Sequence, residues 1–388
     1  LSVTPMPCSV CETVPTLPQG RGRLFLWVPI PHSHSKLLNA LTAEPVETRA
    51  AVQPSIQALE NLGLAISVGE EGLKSILERI AGILADEEMR ASRALFLPEG
   101  VEPRWQDCGR VEPLTQLLHR AHAELLVQVL AENRLVSYFQ PIVSARDPAQ
   151  VVAHEALMRG VDEQGNLISP GLLFEMAREA HLLYQLDLAA RRTAIQTAAQ
   201  QRLAGDLFIN FNPTAIYDPA FCLRSTVWAI GRSGIRPEQV VFEVNESDRA
   251  HDVGHLRKIL HFYREAGFRV ALDDLGAGYA SLNLIHQLQP DLIKLDMQLI
   301  RGVDRDPYKA VIAQKILELA QSLGITTVAE GVETPGELQW VQAQGVDLVQ
   351  GFLIGEPALT PISQLANSSE VSSPVAGILQ KGAIEPPR

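Results

Sequence analysis

Short apolar runs recur along the chain from Val151 onward, and each ends on a carboxylate or a carboxamide. Glu155 follows Val151-Val152-Ala153-His154, Asn210 follows Leu207-Phe208-Ile209, and Glu243 follows Val240-Val241-Phe242. Asp273 and Asp274 follow Val270-Ala271-Leu272, Asp296 follows Leu292-Ile293-Lys294-Leu295, and Glu330 follows Thr327-Val328-Ala329. An uninterrupted apolar run of this length predicts a buried strand. Stretches of helical periodicity separate the runs, and alternation of strand and helix predicts a parallel sheet. Six polar tips suggest a closed α/β barrel with oxygen ligands gathered at the C-terminal rim of the strands, where such barrels carry their chemistry. Clusters of hard oxygen donors favour Mg²⁺ or Mn²⁺.

The first third has a different pattern. Residues 23–30 read as a strand, 51–62 and 71–90 as helices, and 64–68 and 94–97 as short strands. The second of these helices carries an apolar stripe at Leu73, Ile76, Leu77, Ile80, Ile83 and Leu84. Residues 1–112 are therefore expected to form a small α/β module. Pro98, Gly100, Pro103, Gly109 and Pro113 mark its boundary. A helix over 114–132 then leads into a strand at 136–143, and 170–201 reads as a long helix opened by Pro170. Residues 366–388 lack apolar periodicity and are expected to be a disordered tail after a barrel spanning 113–365.

Composition narrows the function. The 388 residues carry 33 basic and 45 acidic side chains, a net charge of −12, which argues against polymeric nucleic acid or an anionic membrane as partner. A small anionic ligand held by metal ions and one or two arginines remains open. The apolar run from Leu24 to Ile30 is too short to span a bilayer, and without a charged n-region and apolar h-region before it no secretory signal is expected. With four cysteines, the expectation is a reducing cytoplasm. Cys8 and Cys11 have zinc-ligand spacing, with His32 and His34 downstream, but a free thiol pair is the plainer explanation.

Four motifs carry candidate chemistry, each beside an ordinary structural alternative. Glu155, Leu157 and Arg159 share a strand face, which suits joint binding of metal and phosphate, or a simple ion pair. Asp273-Asp274-Leu275-Gly276 places adjacent carboxylates that repel without a cation; an Asp-rich turn is the alternative. Lys294 and Asp296 share the next strand's face, where the lysine could orient a nucleophilic water or merely pair with the aspartate. Glu330-Gly331-Val332-Glu333 offers a general base, or acids that complement a helix dipole.

In order and spacing these motifs resemble the EAL-domain family of cyclic-di-GMP phosphodiesterases over residues 116–364. Phe139-Gln140-Pro141-Ile142-Val143, Glu155-Ala156-Leu157 with Arg159, Asn210, and Glu243 to Ser247 carry the resemblance. Asp273-Asp274, Lys294-Leu295-Asp296, Glu330 to Glu333 and Gln350-Gly351-Phe352 complete it. The resemblance implies a modified TIM barrel with one antiparallel strand, and two-metal hydrolysis of cyclic di-GMP to linear pGpG. It implies Glu155, Asn210, Glu243, Asp273, Asp274 and Glu333 as metal residues, and Glu330, Lys294 and Glu155 as catalytic. Arg159, Gln140, Asp296 and Phe352 would bind substrate, with Glu246 and Gln350 in support. A homodimer through the barrel and a regulatory N-terminal module are also expected.

The loop after Asp274 departs from the family pattern at Leu275 and Ala277, and Asn245 and Asn212 replace a usual Thr and Ser. No ligand position is lost. A catalytically silent cyclic-di-GMP receptor, and a barrel enzyme using Mg²⁺ to stabilise an enolate, are the competing possibilities. No diguanylate cyclase signature is present.

Overall fold

The computed structural model describes Val14 and residues 20–42, 55–69, 72–245, 253–276 and 281–362. Expectations for Cys8, Cys11, Glu246, Ala277 and the 366–388 tail lie outside these residues. The chain separates into two compact units: Leu1–Ser137 with Met158–Thr193 and Arg224–Thr226, and Tyr138–Leu157 with Ala194–Leu223 and Val227–Arg388.

The N-terminal module is a five-stranded sheet. Its strands are β1 (Gly22–Trp27), β2 (Ile56–Leu59), β3 (Gly63–Val68), β4 (Arg93–Pro98) and β5 (Glu112–Pro113), in the order β2-β3-β1-β4-β5. Its neighbouring strands pair antiparallel throughout. Alternation along β1 divides its side chains between the two faces. Leu24 and Leu26 join the core formed with the helices Pro31–Thr42, Gly72–Ile83 and Leu114–His122, while Phe25 packs with Ala65, Leu95 and Leu97 on the other face.

Residues 56–59 overturn the helix expected over 51–62. Asn61 and Leu62 take left-handed φ values of 55° and 61°, which turn the chain tightly enough for β2 to pair back on β3. Pairing to β3 then outweighs a weak local preference for helix. Three other expected helices are interrupted. The 71–90 helix breaks into Gly72–Ile83 and Asp86–Ala91, 114–132 into Leu114–His122 and Glu124–Ala131, and 170–201 into Pro170–Glu179 and Leu183–Gln200. At the last break His181 has a φ of 56°, outside the helical range.

The second sheet closes on itself. Its strands are β6 (Leu135–Ser144), β7 (Val151–Val161), β8 (Leu167–Ile168), β9 (Asp206–Asn210), β10 (Val240–Asn245) and β11 (Arg269–Leu275), followed by β12 (Leu292–Leu295), β13 (Thr326–Ala329) and β14 (Leu348–Gln350). The order is β6-β14-β13-β12-β11-β10-β9-β7-β8, and a further β6–β7 pairing seals an eight-stranded barrel, with β8 as an antiparallel extension of β7. Seven barrel strands are mutually parallel, and β6 runs antiparallel to its neighbour β14. The modified TIM barrel expected from the sequence is what forms. Among the described residues no helix is long and apolar enough to cross a membrane.

Inside the barrel each strand gives one residue to a single apolar layer: Ile142, Ala153, Phe208, Val241, Ala271, Leu292, Val328 and the partly buried Leu348. Outside, the ring of Phe242 stacks on Tyr263 of the helix Val253–Glu265, with centroids 3.9 Å apart. Strands so covered on both faces read as unbroken apolar runs. Phe208 fills the largest share of the layer and is fully buried. Phe208→Ala is expected to destabilise the barrel by about 3–5 kcal/mol through lost contacts and a residual cavity. Urea unfolding measures it, and an unchanged midpoint would refute this layer as the barrel's core.

Candidate functional site

The polar site is the next layer up. Side chains two residues apart on a strand point to the same face. Two residues beyond the apolar layer stand Glu155, Asn210, Glu243, Asp273, Lys294, Glu330 and Gln350 on the seven parallel strands or just past their ends. On β6, which runs the other way, the matching position lies two residues earlier, at Gln140. Eight strands thus place eight polar side chains at one level.

Direct contacts join all eight. Lys294 Nζ lies 2.6 Å from Glu243, 2.7 Å from Glu330, 3.2 Å from Asp273 and 3.3 Å from Glu155, with its side chain 1% exposed. Asn210 Nδ2 donates to Glu155 Oε1 at 2.9 Å and to Glu243 Oε2 at 3.1 Å. Gln350 Nε2 donates to Glu155 Oε2 at 2.7 Å and to Gln140 Oε1 at 3.1 Å.

Adjacent aspartates on a regular strand would face opposite sides. The ladder between β11 and β12 shifts register between Leu272 and Leu275, and Asp274 takes a left-handed φ of 56°. A bulge of this kind re-aims side chains beside active sites. It lets Asp274 join Asp273 and Glu330, whose nearest carboxylate oxygens lie within 4.8 Å of one another. Asn245 donates to Asp274 Oδ2. Leu275 closes β11 fully buried, and Asn212 accepts from Thr214 N at 2.9 Å as a cap.

The remaining sequence candidates take more peripheral places. Asp296 caps the short helix Met297–Ile300 by accepting from Gln298 N at 2.8 Å. Glu333 pairs with Arg301 and stands outside the set that surrounds Lys294. Arg159 lies four residues beyond Glu155 on β7, which continues past the expected tip to Val161, and donates to Met158 O at 2.8 Å. Phe352 follows β14 with 57% of its surface exposed. Two partners were not anticipated from the sequence: Arg301 beside Glu333, which carries no local signal, and Glu337. Glu337 is buried and accepts from the backbone N–H groups of Gly302, Glu333 and Thr334 at 2.8–3.0 Å, bracing the loop after β13. The Thr334-to-Glu337 spacing is a capping box that could have announced it.

The electrostatics of the layer suit a cation. Burial, reinforced by neighbouring carboxylates, pushes Glu243 well above the usual range and raises Asp273. Burial and the adjacent Asp273 bring Asp274 to about 6. Burial, with Asp273 and Glu155 nearby, holds Glu330 at about 8 despite Lys294. Glu155 goes the other way: burial opposes ionisation, but Lys294, Gln350 and Asn210 outweigh it and lower its pKa. Burial also disfavours charge on Lys294, yet the surrounding carboxylates raise its pKa well above normal. Glu243 Oε1 and Asp273 Oδ1 are buried and, although close to Lys294, have no hydrogen bond of acceptable geometry. Hard, under-satisfied carboxylate oxygens fit a divalent ion such as Mg²⁺ or Mn²⁺.

The sequence family described as the EAL domain matches residues 122–357. The chain belongs to the EAL domain family. This EAL barrel is similar to the cyclic di-GMP phosphodiesterase PdeF of Escherichia coli K12, at 32% identity over 235 residues, covering 60% of this chain and 31% of PdeF. It is 31% identical over 250 residues to the cyclic di-GMP phosphodiesterase NbdA of Pseudomonas aeruginosa, covering 62% and 32% of the two chains. The chain spans about a third of the length of such relatives. Among solved structures, a standalone EAL protein of Vibrio cholerae O395 in its c-di-GMP-bound form superposes with a TM-score of 0.54 at 35% identity, covering 60% of this chain and 95% of that one. Klebsiella pneumoniae BlrP1, solved with manganese and cyclic di-GMP, shares the fold at 23% identity and a TM-score of 0.52, covering 87% of this chain and 96% of its own.

A pH dependence follows from the raised carboxylates. An acid whose pKa is higher folded than unfolded adds stability below its unfolded pKa, and that stability is lost as pH rises through the folded pKa. Glu243, Asp273, Asp274 and Glu330 are of this kind, and Glu155 is of the opposite kind. In EDTA, the melting temperature of the barrel is expected to fall between pH 5.5 and 8.5, the window set by Asp274 near 6 and Glu330 near 8. Saturating Mn²⁺ displaces those protons, so its stabilising shift grows with pH. Thermal melts with and without Mn²⁺ test this, and a Mn²⁺ shift independent of pH would contradict it.

Proposed function

We propose that this barrel is a divalent-metal-dependent phosphodiesterase that hydrolyses cyclic di-GMP to linear pGpG in the cytoplasm. The observation that carries the proposal is the single buried layer in which Glu155, Asn210, Glu243, Asp273 and Glu330 surround or adjoin Lys294. Relatives named as cyclic di-GMP phosphodiesterases support the substrate.

Glu155, Asn210, Glu243 and Asp273 would hold one Mg²⁺ or Mn²⁺. Asp273 and Asp274 would hold a second, with Glu333 completing its shell from the rim. Bound ions supply Lewis-acid charge and a lowered pKa for the attacking water. Lys294, already clamped by four carboxylates, is fixed where it can orient that water and face a phosphate. Glu330, with a pKa near 8 before metal arrives, is the group to accept the water's proton. Water oxygen bonds to one phosphorus, the P–O3′ bond breaks, and the products' new ends are a 5′-phosphate and a 3′-hydroxyl. Arg159 would grip a phosphate with its guanidinium fork, Asp296 would bind from the rim, and the exposed ring of Phe352 would stack on a base.

We also propose a homodimer through the barrel. Tyr308, Val311 and Ile312 are 82%, 58% and 51% exposed on one stripe of the helix Pro307–Leu323, the spacing of a packed helix face. Ile312→Glu is expected to shift sedimenting dimer to monomer; an unchanged distribution would place the interface elsewhere. Residues 1–112 would act as a regulatory module on a 113–365 catalytic unit, which comparing turnover of that unit with the full chain tests.

Incubation with cyclic di-GMP and Mn²⁺, with products separated by chromatography, tests the activity. Wild type is expected to yield pGpG, EDTA to abolish it, and Glu155→Ala to lower kcat by at least about a thousandfold, as loss of a group central to transition-state charge stabilisation does. Binding of intact cyclic di-GMP with no product would instead identify a receptor.

A further inference from the structure

Gln140 joins the polar layer from the one strand that runs in the opposite direction. We infer that Gln140 is a positioning residue for Glu155: acting through Gln350, it fixes the direction of hydrogen-bond donation into that carboxylate, and it does not contact substrate. This deepens the phosphodiesterase proposal and rests on Glu155 holding metal.

Donor and acceptor chemistry leave one arrangement. The carbonyl of Gly355 can only accept, so it takes a hydrogen bond from Gln140 Nε2 at 3.2 Å. That turns Gln140 Oε1 toward Gln350, where an oxygen can only accept. Gln350 must answer with its amino group, which donates at 3.1 Å to Gln140 and at 2.7 Å to Glu155 Oε2. A flipped Gln350 would set oxygen against oxygen on both sides. The same orientation leaves Gln350 Oε1 buried with no hydrogen-bond partner among the described residues, an acceptor held within the site. Both polar ends of Gln140 are engaged by protein, and the residue is 9% exposed, so little of it is free for a ligand.

The relay is anchored by a strap over 355–362. Phe139 and Ala358 exchange backbone hydrogen bonds at 2.7 and 3.1 Å, Gln201 Nε2 donates to Leu359 O at 3.0 Å, and His154 Nε2 donates to Ile362 O at 2.9 Å. Gly355 sits so close to β6 that a Cβ there would lie 2.8 Å from Pro141 Cγ. The carbonyl that sets the polarity is therefore held by packing at a residue remote from the carboxylates.

The experiment is Mn²⁺ titration calorimetry on the full chain, with steady-state kinetics on cyclic di-GMP, for wild type, Gln140→Met and Gly355→Ala. Gln140→Met keeps similar bulk and removes both hydrogen bonds. It is expected to weaken Mn²⁺ binding and lower kcat by roughly tenfold, the usual effect of losing a group that orients a metal ligand, with KM moving less than about twofold. Gly355→Ala is expected to give a smaller loss of the same kind, and it carries the test if Gln140→Met fails to melt cooperatively. Wild-type Mn²⁺ affinity in both variants would overturn the inference. So would a raised KM with kcat and Mn²⁺ affinity unchanged in Gln140→Met, which would make Gln140 a substrate contact. If wild type binds Mn²⁺ yet leaves cyclic di-GMP intact, the phosphodiesterase proposal fails, while the affinities still decide the role of Gln140.

Discussion

A buried lysine surrounded by four carboxylates sets the terms for this barrel. Isolated, an ammonium or a carboxylate at that depth would be prohibitively desolvated. Together they are tolerated, because Lys294 lies within 3.3 Å of Glu155, Glu243, Asp273 and Glu330 at once. Burial raises the pKa values of Glu243, Asp273 and Glu330, and one positive charge is too few to offset that together with their mutual repulsion. Such a centre holds protons when it has no cation and releases them to a divalent ion. Carboxylates held this close together by the fold suit a divalent cation.

Closure of the sheet is what brings them together. The apolar layer from Ile142 to Leu348 fills the interior, and the polar layer rests on it. A barrel of eight strands has an interior only wide enough for side chains to meet, so every group in a layer lies near the others. Regular strands would nevertheless give only one carboxylate from Asp273-Asp274. The register shift and the left-handed backbone at Asp274 add the second. Irregularity in this sheet falls where regular geometry would have turned the second carboxylate away from Asp273 and Glu330, as expected of strain retained at functional sites.

Much of this was legible in the residues. Apolar runs ending in oxygen donors gave both the strands and their polar ends, because strands covered on both faces allow no polar residue until the sheet opens to its site. Asn210, Glu243, Asp273, Lys294 and Glu330 could be placed by counting along each run. Less legible were features that depend on partners distant in sequence. Residues 56–59 have no strong strand pattern and become β2 because Asn61 and Leu62 fold them onto β3. Glu333 was expected among the metal residues, yet it pairs with Arg301, a partner that nothing in the tetrapeptide announces. Gln140 was legible as a member of the site but not as a member of the layer, because its position is found only by counting backwards along β6.

The antiparallel direction of β6 has a further consequence. On most of the parallel strands the polar residue lies at or within two residues of the C-terminal end, β7 with its extension to Val161 being the exception. On β6 the polar residue comes first, and Pro141 and Ile142 follow it down into the barrel. The neighbours of Gln140 are therefore held on both sides by sheet, with Phe139 pinned to Ala358 and Pro141 packed against Gly355. A side chain so restrained loses little further entropy when it orders its neighbours. The reversed strand thus contributes a member of the layer flanked by strand residues on both sides, and the carbonyl of Gly355 sets the direction of its amide.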